Sequence, residues 1–267
     1  MDVYSKYRQA LNYLRYYFTA ANGKGHGMHS PFVFDFIKTV LNDRQSYPDY
    51  QTVEKLREEM LTDKRILSVR DFGAGSVVNK SDHRTIASIA KNAAKPGKYG
   101  QLLYRMVKKY KPAATLELGT SLGITTSYLA LAGPYMKLVT MEGSPAIAET
   151  ARQNFKNLRL RGIEMVEGNF DETLLAALAS LSTVDLVFID GNHRREPTLR
   201  YFQQLLDKIN PQSILVFDDI HWSPEMEAAW EVIRSHEAVR CSIDLFFIGI
   251  VFFREEFKEK QHFAIRF

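Results

Sequence analysis

The sequence predicts an α/β fold in which a largely parallel sheet is covered by helices on both faces. From about Lys111 onward, short apolar runs that are typical of buried strands alternate with segments long enough for helices. Residues that commonly begin helices, such as Ser144, Asp171 and Ser223, stand at the junctions. Because parallel strands need crossover connections of this length, the alternation indicates a parallel sheet.

The predicted elements follow one another in a regular order. The strand-like runs are ATLELG (114–119), KLVTMEG (137–143), IEMVEGN (163–169), VDLVFIDG (184–191) and SILVFDD (213–219). The helical segments between them are SLGITTSYLALAG, SPAIAETARQNFKNLRLR, DETLLAALASLS and EPTLRYFQQLLDKIN. The stretch VRCSIDLFFIGIVFFR (239–254) forms two apolar pieces around Gly249 with no room for a crossover helix, which predicts an antiparallel hairpin at the end of the sheet.

The N-terminal part of the chain has a different pattern. A three-four spacing of apolar residues predicts a first amphipathic helix from Tyr4, Tyr7, Leu11, Leu14 and Phe18. A glycine-histidine loop, NGKGHGMHSPF (22–32), precedes further helical stretches near 32–42 and 48–61. We therefore expect an N-terminal helical cap or lid over residues 1–97 and an α/β domain over residues 98–267.

Composition limits the class of protein. The chain has 267 residues, 45% of them hydrophobic, which is enough for one large α/β domain or for a core domain with an appendage. The single cysteine, Cys241, excludes a disulfide framework and fits a reducing compartment. The net charge of +4 slightly favours an anionic ligand, but the basic residues are scattered, so nucleic acid is not an expected partner. Without a signal peptide or an apolar run of membrane-span length, the expectation is a cytoplasmic protein with no membrane partner; a homo-oligomer is left open.

Two glycine loops are candidates for ligand binding. LELGTSLG (116–123) lies between a strand and an apolar helix, where a glycine turn lets a ligand approach the backbone closely. The next strand ends in Glu142, about 20 residues on, where a nucleoside ribose finds an acceptor for its hydroxyls. RDFGAGS (70–76) lacks this context and is interpreted as a structural turn, with lining of a substrate site as the alternative.

TLELGTSLGITTSYLA, with the helix KYGQLLYRMVKKY just before it, resembles the class I S-adenosylmethionine-dependent methyltransferases. The likeness is closest to the small-molecule O-methyltransferases of the sugar and catechol type, which are often metal-dependent, and it covers roughly residues 98–253. It implies a Rossmann-like seven-stranded sheet whose last strand is antiparallel. It also implies S-adenosylmethionine as cofactor and transfer of its methyl group to a hydroxyl of a small molecule or sugar.

The same resemblance implies a set of cofactor contacts. Glycine-loop residues surround the methionine end, the second strand takes the ribose, and the third flanks the adenine. In that order the residues are Glu117, Gly119, Thr120, Ser121 and Gly123, then Glu142 and Gly143, then Asn169 and Phe170, with Asp190 also beside the cofactor.

Three carboxylates are expected at the ligand edge of the sheet. Asp190 ends the fourth strand-like run, and Asp218 and Asp219 end the fifth. Oxygen ligands of this kind suit Mg²⁺, and the resemblance favours a divalent cation bound by all three. Because successive residues of a strand point to opposite faces, Asp218 and Asp219 can share a metal only if the strand breaks between them.

The acceptor also needs a base. Metal-dependent relatives often carry an acid two places after the first metal aspartate, but Asn192 stands there and cannot accept a proton. The catalytic candidates are therefore His193 and His221, which can titrate near neutral pH, together with Asp190.

Simpler interpretations remain open. Asp218 could cap the following segment while Asp219 pairs with a cation, and His193 could bond only backbone. His26 and His29 are interpreted as part of a loop over the site, with a metal pair as the alternative. A metal-independent methyltransferase of nitrogen or of a macromolecule and a non-catalytic cofactor-binding protein are the rival functions. A nicotinamide enzyme is disfavoured because GTSLG lacks the middle glycine of the usual fingerprint.

Overall fold

The computed structural model describes residues 3–69, 83–93 and 96–267. The RDFGAGS loop lies outside the described residues. The chain divides into two compact units: unit 1 comprises residues 1–43 and 181–267, and unit 2 comprises residues 44–180.

The α/β prediction is confirmed. The helices of the described residues are α1 Lys6–Thr19, α2 Pro31–Phe36 (continued by a π-helical turn, Ile37–Leu41), α3 Pro48–Thr62, α4 Ile86–Ala93, α5 Gly97–Tyr110, α6 Ile124–Ala132, α7 Pro145–Asn157, α8 Phe170–Ala179, α9 Arg195–Leu206 and α10 Pro224–Ser235. The strands are β1 Ile66–Ser68, β2 His83–Thr85, β3 Ala114–Leu118, β4 Lys137–Glu142, β5 Ile163–Glu167, β6 Leu186–Ile189, β7 Ile214–Asp218, β8 Cys241–Asp244, β9 Ile248–Phe252 and β10 Gln261–Ala264. Each of the five predicted strand-like runs is a strand.

The main sheet has eight strands among the described residues, in the order β10-β8-β9-β7-β6-β3-β4-β5. In unit 2, β3, β4 and β5 pair in parallel, and in unit 1, β6 pairs in parallel with β7. β9 is antiparallel to both β7 and β8, as the predicted hairpin requires. Apolar residues on both sides of β4, β6, β7 and β9 are buried, as expected for strands covered by helices.

Two details of the sheet differ from the prediction. An eighth strand, β10, adds in parallel to β8, where seven strands were expected. The hairpin turns at Leu245–Phe247 and not at Gly249, which lies inside β9. A Cβ on Gly249 would come within 2.7 Å of the Trp230 ring, so the glycine makes room for helix α10.

The N-terminal region is helical, as predicted, but it does not form one body. Residues up to Asp43 belong to unit 1, and α3 and α4 belong to unit 2. In unit 2, α3 packs on α4 and α6, and the Tyr128 hydroxyl donates to Glu54 of α3 at 2.7 Å. The domain boundary expected at residue 97, and a lid function for this region, stay predictions.

Candidate active site

The glycine loop of unit 2 follows β3 and is shaped by left-handed residues. Gly119 has a φ of 107° and Gly123 a φ of 78°, and Ser121 between them has a φ of 48°. A Cβ on Gly123 would lie 2.4 Å from the Phe155 ring, so glycine is required both for the backbone conformation and for the close packing of α7.

The backbone amides of this loop are used within the protein. Gly119 and Thr120 both donate their N–H groups to the Met141 carbonyl at 3.0 Å, and the Ser121 N–H donates to Glu142 Oε2 at 2.8 Å. A phosphate-binding loop needs such groups to face the anion. This loop is therefore poorly suited to a pyrophosphate, which argues against a dinucleotide ligand.

Glu142 ends β4 and is held in one orientation. Its Oε2 accepts from Ser121, and its Oε1 accepts from the Ser144 N–H at 2.9 Å. An ionised carboxylate has about four acceptor positions, and these two backbone N–H groups occupy one on each oxygen. Glu142 and the adjacent Gly143 are half-buried. The arrangement suits the ribose assignment, which stays a prediction.

Glu117 is completely buried and braces the loop. It accepts hydrogen bonds from the Thr126 hydroxyl and, at 2.6 Å, from the Thr140 hydroxyl. The Thr120 and Thr140 hydroxyls are also 2.6 Å apart. Sequence reasoning missed Thr126 and Thr140. A signal existed for Thr140, because it is a polar residue in an apolar strand and shares a face with Glu142, two positions away.

The far side of the loop is held by the N-terminal helices of unit 2. Leu122 is 1% exposed and belongs to an apolar cluster that includes Leu56 of α3 and Ile89 of α4. The Asn154 side chain donates to the Leu122 carbonyl at 2.9 Å. Part of the region expected to be a lid therefore supports the loop.

Asn169 and Phe170 lie where β5 leads into α8, and both are half-buried. Asn169 is the N-cap of that helix, and its side-chain oxygen accepts from the Asp171 N–H at 3.2 Å. Their contacts with adenine stay predictions.

In unit 1 the three predicted metal ligands lie at or just beyond the ends of β6 and β7. The parallel register pairs Ile189 with Phe217, so Asp190 and Asp218 are next to each other at the ends of adjacent strands. Asp219 has a φ of 55°, so the strand ends between Asp218 and Asp219. A metal shared by these two residues would require such a break.

The carboxylates have the right chemistry for a divalent cation, but they are not gathered around one point. Among residues 3–69, 83–93 and 96–267, no three His, Cys, Asp or Glu side chains are grouped as a metal ion needs. Asp218 is 2% exposed, whereas Asp219 is half-buried. The residues as placed do not fit a bound metal, and no chemical step below depends on one.

His193 is paired with Asp190. Its Nε2 lies 3.4 Å from Asp190 Oδ1, and both side chains are partly exposed. The His193 ring meets the Trp222 ring edge-on with centroids 5.7 Å apart. Asn192, at the position where relatives often carry an acid, donates instead to the buried Tyr201 hydroxyl at 3.0 Å. His193 beside a carboxylate is the arrangement of a general base with an orienting partner.

His221 is placed differently. Its Nδ1 lies 3.1 Å from Glu227 Oε1 and its Nε2 lies 2.7 Å from Asp244 Oδ2, so each ring nitrogen faces a carboxylate. Burial acts to lower the pKa of His221, but the hydrogen bonds and charges of Asp244 and then Glu227 outweigh it and raise the pKa. A histidine whose two ring nitrogens both face carboxylates has a structural role. The geometry of His221 therefore favours His193 as the base.

A cavity of about 280 Å³ opens in unit 1, and His221 is one of its lining residues. Its lining comes from α1, from the turn after β7 and from the β8–β9 turn. The lining residues are Lys6, Gln9, Ala10, Tyr13, Asp219, His221, Trp222, Phe246 and Phe247. Four of them are the aromatic side chains Tyr13, Trp222, Phe246 and Phe247. Trp222 is expected from the sequence to be a core or rim residue more than a substrate platform, and the four come together only in the fold, because they belong to three distant parts of the chain.

Part of the chain is similar in sequence to known methyltransferases. Residues 116–220 match a family described as a methyltransferase domain. The transmembrane O-methyltransferase of Propithecus coquereli is 37% identical over 114 residues, which are 40% of this chain and 40% of that protein. The catechol O-methyltransferase of Mycobacterium tuberculosis is 32% identical over 152 residues, 56% of this chain and 66% of that protein. The chain thus matches well under two thirds of the length of the transmembrane relatives.

The fold also matches solved structures. A Podospora anserina methyltransferase bound to S-adenosylhomocysteine, PaMTH1, superposes with a TM-score of 0.59 at 13% identity, covering 85% of this chain and 97% of that one. At this identity the likeness shows the fold alone. Within the part of the chain that the structure describes, no helix is long and apolar enough to cross a membrane.

Proposed function

We propose that this chain, which belongs to the class I S-adenosylmethionine-dependent methyltransferases, transfers a methyl group from S-adenosylmethionine to a hydroxyl of a small molecule. The observation that carries the proposal is the pairing of His193 with Asp190 next to Trp222, a wall residue of the aromatic cavity. This arrangement supplies a base and a site for the acceptor within unit 1.

Bound S-adenosylmethionine supplies a methyl group already activated by its positive sulfur. What remains for the protein is to hold both reactants and to remove the hydroxyl proton. Glu142 and the braced glycine loop are proposed to hold the cofactor. In the tautomer in which His193 Nε2 donates to Asp190, the lone pair that accepts the proton is on Nδ1. Asp190 would then stabilise the imidazolium that forms.

The cavity favours a ring-bearing acceptor over a sugar. Its walls include Tyr13, Trp222, Phe246 and Phe247, which offer flat apolar surfaces. Its volume of about 280 Å³ lies just below the usual range for ligand sites and suits one small molecule. The proposed acceptor is therefore a small aromatic alcohol or phenol, and a macromolecular acceptor is the rival.

Assistance by a divalent cation is not part of this proposal and is tested separately. The adjacency of Asp190 and Asp218 and the break at Asp219 support it, and the scatter of their side chains opposes it. Turnover that EDTA abolishes and Mg²⁺ restores would establish the cation. Full activity in the presence of the chelator would rule out a role for the cation.

The test of the proposed function is formation of S-adenosylhomocysteine with a panel of phenols and sugar alcohols. Substitution of His193 by Ala should lower kcat about 100- to 10,000-fold and leave the affinity for S-adenosylhomocysteine unchanged. Substitution of the exposed His83 by Ala is the control and should change neither quantity.

The alternative outcomes are distinct. Normal turnover by His193→Ala would reject the assigned base. Tight binding of S-adenosylhomocysteine without turnover on any acceptor would favour a non-catalytic cofactor-binding protein.

A further inference from the structure

Helix α1 turns an apolar face away from the protein. Its inner side packs on the β8–β9 turn, where Tyr13 and Tyr16 lie 5.1 Å and 5.3 Å from the Phe246 ring. The apolar stripe that identified the helix in the sequence is on the other side. Its exposed members are Tyr7 (75% exposed), Leu11 (47%), Leu14 (50%) and Phe18 (81%). At about 100° per residue these four side chains fall within one narrow sector of the helix.

The stripe has a basic border. Arg8 and Arg15 lie seven residues apart along one edge, and Lys6 lies at the other edge, where it also lines the cavity. From Lys6 to Thr19 the helix contains no Asp or Glu. An exposed apolar stripe of this extent marks an interaction surface, and its cationic border restricts what can cover it.

We propose that this face of α1 lies on the surface of an anionic lipid bilayer. Its aromatic and leucine side chains would enter the headgroup region while Arg8 and Arg15 pair with anionic headgroups. The helix is about 21 Å long at 1.5 Å per residue, which suits a helix lying in the interface. Peripheral binding of this kind departs from the sequence-based expectation that no membrane takes part.

The charges favour a bilayer over a second copy of the chain. In an antiparallel two-fold pair of α1 helices the arginine edges of the two copies would approach each other. In a parallel pair the arginine edge of one copy would face the side of the other copy that carries Lys6. The helix offers no carboxylate to neutralise them, so like charges would oppose the contact. A bilayer that contains anionic lipids is complementary to the same edge.

Sedimentation with vesicles tests the proposal on the whole 267-residue chain. We expect the protein to pellet with phosphatidylcholine vesicles that contain phosphatidylglycerol and to stay in the supernatant with phosphatidylcholine alone. The double variant Tyr7→Ser/Phe18→Ser should lose binding at least about tenfold. Arg8→Gln/Arg15→Gln should lose about fivefold for each charge removed, at about 1 kcal/mol per basic residue.

The matched control is Tyr135→Ser, which removes an aromatic side chain that is fully exposed elsewhere, and it should pellet like the wild type. Thermal unfolding of each variant confirms that it is folded. Absence of wild-type protein from the anionic pellet would overturn the proposal, as would normal pelleting of Tyr7→Ser/Phe18→Ser. A dimer in analytical ultracentrifugation that this variant abolishes, without vesicle binding, would assign the face to a second copy instead.

Discussion

Adding one methyl group at Gly123 tests how the glycine loop is built. The position combines a left-handed φ of 78° with a Cβ site 2.4 Å from Phe155 Cε1 and 3.3 Å from Ala151 Cβ. Gly162, in the same unit, has nearly the same φ of 75°, but its nearest neighbour to a Cβ is a carbonyl oxygen at 3.7 Å. The two glycines therefore separate the cost of conformation from the cost of crowding.

The expected magnitudes follow from these distances. A left-handed alanine costs about 1–2 kcal/mol, which is the whole effect expected for Gly162→Ala. Gly123→Ala adds the overpacking of a full core, about 1–3 kcal/mol, for a total of about 2–5 kcal/mol. Displacement of the loop should also weaken S-adenosylhomocysteine binding at least about tenfold, since Ser121 would move away from Glu142.

Urea unfolding and calorimetric titration measure the two effects. Phe155→Leu, which removes the atoms that clash, should reduce the excess cost of Gly123→Ala when the two changes are combined. Equal destabilisation by Gly123→Ala and Gly162→Ala would refute the packing argument. Unchanged cofactor affinity in Gly123→Ala would refute the link between the loop and binding.

Three further outcomes are expected. Glu142→Gln should bind S-adenosylhomocysteine at least about tenfold more weakly, because each carboxylate oxygen holds a backbone N–H; the exposed Glu164→Gln is the control, and equal affinities would reject the ribose assignment. The pKa of His221 is raised in the folded protein, so protonated His221 stabilises the fold. This contribution is complete below the unfolded pKa of about 6.5 and is lost as pH rises through the folded pKa. Unfolding free energies should decline over that window in the wild type and less in His221→Gln; parallel profiles would contradict this. Burial raises the pKa of Cys241 to about 12, so a disulfide reagent should label this thiol only after urea unfolding, and rapid labelling of the folded protein would show that the thiol is accessible.

Local pattern was sufficient for much of the fold and for the position of the glycine loop. The alternation of apolar runs and helical segments located β3 to β7, because buried parallel strands and their crossover helices each have a readable length and period. The glycine loop and Glu142 were readable for the same reason: a turn between strand and helix needs residues of a particular kind at particular positions. Thr126 and Thr140, which are distant in sequence and donate hydrogen bonds to Glu117, could not be predicted from local pattern.

The sequence by itself determined which segments become strands and helices, where the glycine loop lies and which acids end the strands, since these depend on neighbours within a few residues. Only the tertiary structure decided how distant residues meet. It added β10 beside β8, placed His221 between Asp244 and Glu227, and faced His193 with Asp190. It also turned the apolar stripe of α1 outward, because Tyr13 and Tyr16 on the opposite side pack on Phe246, more than 200 residues away. A helical period shows that two faces differ, but which face is buried depends on the surface that the rest of the chain presents.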